Sequence, residues 1–224
     1  MQNFLDEKQQ AVIFIAAFAA KGDMPKLNKA LNEGIETGMT INEVKEILVQ
    51  LYAYVGFPRS LNALSELMSV MEQRDQQGLK NETGKEATPF PLDWDSLQSG
   101  TRNQTQLVGQ SVKGPLFEFA PVIDQFLKSH LFGDIFQRDT LSWQTRELAT
   151  ISALAAISGV NSQLKSHYSI SLQTGLTGQQ LWAFIECLKL KFDDEVVVNA
   201  AAVLKEVLSL THHNIPENPV AEKP

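Results

Sequence analysis

One cysteine in 224 residues, Cys187, excludes an intrachain disulfide and any CxxC redox or zinc motif. It lies in Leu181-Trp182-Ala183-Phe184-Ile185-Glu186-Cys187-Leu188, a setting that predicts a small buried core residue. Long hydrophobic runs are also missing. None approaches the roughly 20 apolar residues that span a bilayer, so no membrane partner is expected. No Lys/Arg-rich run stands out, and 19 Lys and Arg against 26 Asp and Glu give a formal net charge of −7. The electrostatic footprint of a nucleic-acid binder is therefore lacking. The opening Met1-Gln2-Asn3-Phe4-Leu5-Asp6-Glu7-Lys8 puts acids where a signal peptide has a basic region, and a cytoplasmic location is expected. No His/Asp/Glu spacing reads as a metal site, and there is neither a glycine-rich phosphate loop nor a nucleophile elbow. Neither metal nor cofactor is expected. Alternating strand patterns bounded by turns are absent too, which leaves an all-α fold.

What is present is a globular balance, 43% hydrophobic and 20% charged, sufficient to build a core. The chain also resembles itself. Gly38-Met39-Thr40 recurs as Gly175-Leu176-Thr177, 137 residues later, and at that shift Leu27 meets Leu164, Val44 meets Leu181 and Leu51 meets Leu188. Upstream the shift is 136, matching Leu5 to Leu141 and Ala19-Ala20 to Ala155-Ala156. We read two tandem helical repeats, residues 1–75 and 115–210, joined by a connecting segment at 76–114 and followed by a tail at 211–224. The connecting segment holds Thr88-Pro89-Phe90-Pro91 and Ser99-Gly100-Thr101, and its aromatics Phe90 and Trp94 predict that it packs on the surface.

Within the second repeat, Leu148, Ile151, Leu154 and Ala155 predict a buried helical stripe. A further helix follows Ser158-Gly159 and ends at Gly175. Thr177 with Gln180, like Thr40 with Glu43, is a capping-box pattern that predicts a helix start. Pro58 in the first repeat and Asp193-Asp194 in the second mark the start of a last helix. A unit of about 70 residues buries too little surface alone, so the repeats are expected to pack as a pseudo-twofold pair. Alanine pairs such as Ala16-Ala17 and Ala155-Ala156 allow the close approach this needs.

Chemistry-bearing residues concentrate in the second repeat. Arg146 and Glu147 open one helix, and Gln163 and His167, four apart, share a face of the next. If those helices form an antiparallel hairpin, Glu147 and His167 meet, and a carboxylate beside an imidazole is a competent proton-transfer pair. Arg146 could hold a substrate carboxylate. Spacing alone equally allows a structural histidine, a glutamate that complements the helix dipole and an arginine in an ordinary ion pair. The first repeat has Ala30 in place of His167 and Gln10-Ala11 in place of Arg146-Glu147, so any site belongs mainly to the second. His130, His212 and His213 look less promising.

The stretch Phe132-Gly133-Asp134, Leu141, Thr145-Arg146-Glu147-Leu148-Ala149-Thr150, Gln163-Leu164-Lys165-Ser166-His167 and Gly175-Leu176-Thr177 resembles the carboxymuconolactone decarboxylase family of the alkyl hydroperoxidase D-like superfamily. The first repeat is similar at Glu46-Ile47-Leu48, Tyr54-Val55-Gly56-Phe57-Pro58 and Asn62-Ala63. The resemblance implies an all-helical protein that oligomerises. Single-unit relatives form rings of six, so a fused pair is expected to form a trimer resembling that ring. Peroxidase members carry a CxxC whose second cysteine lies four residues before the histidine. Val160 and Gln163 stand at those two positions, so thiol peroxidase activity is excluded. Decarboxylase members often have an acid where Gln163 stands. The function so implied is a cofactor-free lyase or isomerase acting on a small carboxylated lactone or related metabolite. His167 and Glu147 would be catalytic, and Arg146 and Gln163 would bind the substrate. The alternative is a non-enzymatic helical oligomer or small-ligand-binding protein.

Overall fold

The computed structural model describes residues 5–212, so the expected tail, with His213, lies outside the described residues except for the end of the last helix. Everything regular among the described residues is helical. The first half consists of α1 (Glu7–Lys21), α2 (Met24–Glu36), α3 (Ile41–Gln50) and α4 (Tyr52–Gln76). Then come α5 (Ser96–Val108), the short α6 (Pro115–Phe119) and α7 (Pro121–Phe126), and a π-helical stretch at Leu127–Ile135. The second half is α8 (Trp143–Ala155), α9 (Asn161–Gln173), α10 (Gly178–Lys191) and α11 (Asp194–His212).

The 137-residue spacing carries over to the helices. Met24–Glu36 and Asn161–Gln173 are offset by that amount at both ends, and α3 and α10 start at positions 41 and 178. Thr40 and Thr177 each close the expected capping box, with Glu43 and Gln180, and satisfy N–H groups that would otherwise lack partners. Gly56, at φ 79, breaks α4 so that its second part begins beside Pro58. A β-carbon is disfavoured at that φ, which explains the glycine.

At the centre, α1 packs along α8. Residues 11–20 of α1 and 146–155 of α8 are buried without interruption. A helix that is apolar all round must lie inside, and the small Ala16, Ala17, Ala19 and Ala20 let the neighbouring helices approach closely. Leu148, Ile151, Leu154 and Ala155 form the buried stripe, and Cys187 is buried in the core. No described helix is long and apolar enough to cross a membrane.

The stretch 76–114 does more than lie on the surface. Its first part caps α3, with the backbone N–H groups of Ile41 and Asn42 donating to the carbonyls of Glu82 and Thr83 at 2.9 Å. Thr88 is tied to Asp139 by both its N–H and its hydroxyl, and Phe90 stacks on Trp94. Its second part is α5, which the glycine- and polar-rich texture concealed. Asp95 caps this helix, and its glycine is a packing device, not a breaker. A β-carbon on Gly100 would lie 1.6 Å from the main-chain oxygen of Lys128, and one on Gly133 would lie 2.2 Å from that of Ser96. The two backbones thus touch across a pair of glycines. Gly100→Ala is expected to destabilise the fold by about 1–3 kcal/mol, because backbone cannot yield as a flexible side chain can. Urea denaturation measures this, and an unchanged midpoint would refute the close contact.

Candidate active site

α8 and α9 run as the two arms of a hairpin whose connection is the short turn around Ser158-Gly159. That pairing brings Glu147 and His167 together. His167 Nδ1 lies 2.8 Å from Glu147 Oε2, with Glu147 fully buried and His167 8% exposed. An ionised carboxylate at Nδ1 holds the proton on that nitrogen and leaves the lone pair on Nε2. The ring edge of Tyr54, from α4 in the first half, meets the imidazole with centroids 5.4 Å apart. Burial, followed by the negative charge of Glu147, pushes the Tyr54 phenol far above its ordinary range. It stays neutral as a result. Among the described residues, Glu147 Oε1 is buried without a hydrogen-bond partner, unlike most buried polar atoms, while the Tyr54 hydroxyl lies beside that of Thr150.

His167 borders a cavity of about 540 Å³. The walls come from five places: Ala53 and Tyr54 of α4, Gln104 and Val108 of α5, Gln110 and Val112 just after it, Leu127, Leu131 and Phe132 of the π-helical stretch, and Gln163, Ser166, His167 and Ile170 of α9. Gln163 therefore shares the cavity with His167, its exposed side chain accepting a hydrogen bond from Ser162. α5 supplies one wall, and α4, from the first half of the chain, supplies another.

Arg146 is placed elsewhere. It is fully buried and does not line that cavity. Its guanidinium donates to Gln50 Oε1 at 2.9 Å, to Glu46 Oε1 at 2.8 Å and to the carbonyl of Arg138 at 2.7 Å. Burial pulls its pKa down, while the Glu46 hydrogen bond and charge oppose that pull. Arg138 binds the same carboxylate through Nε, which raises its own pKa. Gln50 also donates to the carbonyl of Arg146 and to the Thr150 hydroxyl, both at 2.9 Å. The arginine next in sequence to the catalytic candidate thus joins the two halves. In sequence Glu46 counts only toward the resemblance of the first repeat, and Gln50 not at all. Their signal was a Glu and a Gln four apart, alongside the apolar Val44, Ile47, Leu48 and Leu51.

No family model matches the chain. Over 66 residues it is 30% identical to an uncharacterized protein of Methanocaldococcus jannaschii, a match covering 30% of this chain and 62% of that protein. The chain therefore spans less than two thirds of that relative's length. In three dimensions it is similar to the crystal structure of a Burkholderia xenovorans protein named as a gamma-carboxymuconolactone decarboxylase subunit. The TM-score is 0.51 at 19% sequence identity, over 94% of this chain and 80% of that one. The likeness is one of fold: the all-α architecture is shared.

Proposed function

We propose that this protein is a cofactor-free lyase or isomerase of a small polar metabolite, with His167 as general acid/base and Glu147 as the carboxylate that orients it. The buried 2.8 Å contact between them, at the wall of a cavity of about 540 Å³, carries this reading. Imidazole moves protons near neutral pH, and a fixed tautomer presents Nε2 to whatever lies in the cavity. Loss of carbon dioxide from a carboxylated lactone leaves an electron pair that must be quenched by a proton. Migration of a double bond needs one proton removed and one returned. A single imidazole can serve either reaction. Gln163 would orient the substrate by hydrogen bonding. With Arg146 buried, a substrate carboxylate would be met by the amides of Gln163, Gln104 and Gln110 instead of a guanidinium. Assembly of several copies, a trimer in this reading, would cover exposed apolar residues such as Leu116 and Phe119.

The test is ultraviolet detection of 4-carboxymuconolactone consumption by the purified protein and by His167→Ala. The expected result is turnover that falls by about 10²–10⁴-fold in the variant, the usual worth of a positioned acid/base. Undiminished turnover in His167→Ala would remove the role assigned to it. A second reading, a binding protein for a small ligand, is favoured by the absence of any Lys or Arg among the described residues of the cavity wall. Saturable binding without consumption of any lactone would select it.

A further inference from the structure

A second histidine is held by a second carboxylate, outside the cavity described above. His130 Nδ1 lies 2.9 Å from Asp134 Oδ2, four residues on in the π-helical stretch. That carboxylate is itself fixed. The Ser96 hydroxyl donates to Asp134 Oδ1, and the Trp94 indole N–H donates to Ser96 Oγ at 3.1 Å. On its other side the His130 ring leans on Tyr52, with centroids 5.6 Å apart, and Tyr52 stacks on Phe57 at 4.4 Å. Three separate stretches of chain therefore orient one half-exposed imidazole. A histidine serving only to solvate the surface needs no such support.

The imidazole borders its own cavity of about 580 Å³, with Tyr52, Ile123, Phe126, Leu127 and Leu131 among its walls. Ile123 and Phe126 are exposed, and α7 buries none of its residues. Concave apolar surface left open beside an oriented polar group is what a small-molecule site offers. The cavity meets that of His167 only at shared walls, Ala53, Leu127 and Leu131. Lys128, the nearest cation in sequence, is ion-paired to Asp124.

We propose that this cavity binds a small aromatic acid, its ring against Tyr52 and Phe126 and its acid group sharing one proton with Nε2 of His130. Asp134 occupies Nδ1, so Nε2 is the nitrogen offered to the cavity. An acid facing a neutral imidazole and a carboxylate facing an imidazolium hold the same number of protons. The pair therefore forms wherever the proton resides. Aromatic walls supply offset and edge-to-face contacts for the ring.

The experiment is titration of the full chain, labelled with ¹³C-histidine, with 2-naphthoate, followed by the imidazole resonances. A saturable shift of the His130 signal is expected. His130→Ala, or Asp134→Asn should the first variant fold poorly, weakens binding about tenfold or more, as for loss of a charge-assisted hydrogen bond. Methyl 2-naphthoate, which keeps the ring and lacks the acid, binds weaker by a similar factor, while His167→Ala binds 2-naphthoate within about twofold of the parent. Binding lost in His167→Ala and kept in His130→Ala would place the ligand in the other cavity and overturn the proposal. Equal affinity for the ester would reduce it to apolar adsorption. Absence of a saturable His130 shift, as when a second copy of the chain covers α7, would overturn it as well.

Discussion

Arg146→Ala is expected to lower stability by about 3–5 kcal/mol, a large fraction of what a domain possesses. The guanidinium is fully buried, and its three acceptors come from α3 and from the segment before α8. Its removal leaves Gln50 Oε1 and the Arg138 carbonyl without their donor and leaves Glu46 with Arg138 alone. Each orphaned buried group costs the desolvation it no longer recovers. The cost is asymmetric: deleting one partner exposes the full burial penalty of the others, whereas deleting both recovers part of it. Glu46→Ala combined with Arg146→Ala is therefore expected to destabilise by less than the sum of the two single changes. Urea denaturation at constant slope measures all three variants. A loss under about 1 kcal/mol for Arg146→Ala would contradict a joining role and revive a free cation.

That arginine shows where sequence reasoning stops. Periodicity and capping reported the helices well, because Thr40 and Thr177 act through residues three positions away, and Leu148, Ile151 and Leu154 through their own spacing. Local rules suffice for local structure. The side-chain acceptors of Arg146 lie 96 and 100 residues upstream, so nothing around Arg146 distinguishes a buried ion pair from a substrate clamp. The same holds for Tyr54, whose partner His167 lies 113 residues downstream. α5 stayed hidden for a different reason. Gly100 and its polar neighbours read as a loop, because a glycine needed for backbone contact with Lys128 looks in sequence like a glycine needed for a turn. Glu147 and His167 were legible as a conditional pair, since a hairpin of two helices places them side by side whatever the rest of the chain does.

Glu147→Gln is expected to lower kcat by about 10²–10⁴-fold while the fold and the cavity persist. The substitution keeps the shape of a fully buried side chain and removes only its charge. Two effects then act on His167. An amide can present N–H instead of oxygen to Nδ1, which moves the imidazole proton to Nε2 and leaves no lone pair where the substrate lies. If the amide oxygen does face Nδ1, the imidazolium that forms during proton transfer has lost the negative charge stabilising it at 2.8 Å. Both effects fall on the chemical step and neither on binding, so KM should change little. Adding His167→Ala to Glu147→Gln should cost little more than His167→Ala alone, since the glutamate acts only through the histidine. Additive losses would mean that Glu147 touches the substrate itself, through the Oε1 atom that accepts no hydrogen bond. A thermal melt run beside the assay separates these outcomes from unfolding. Glu147→Gln with normal stability and full kcat would leave the carboxylate a structural partner of His167 and remove it from the mechanism.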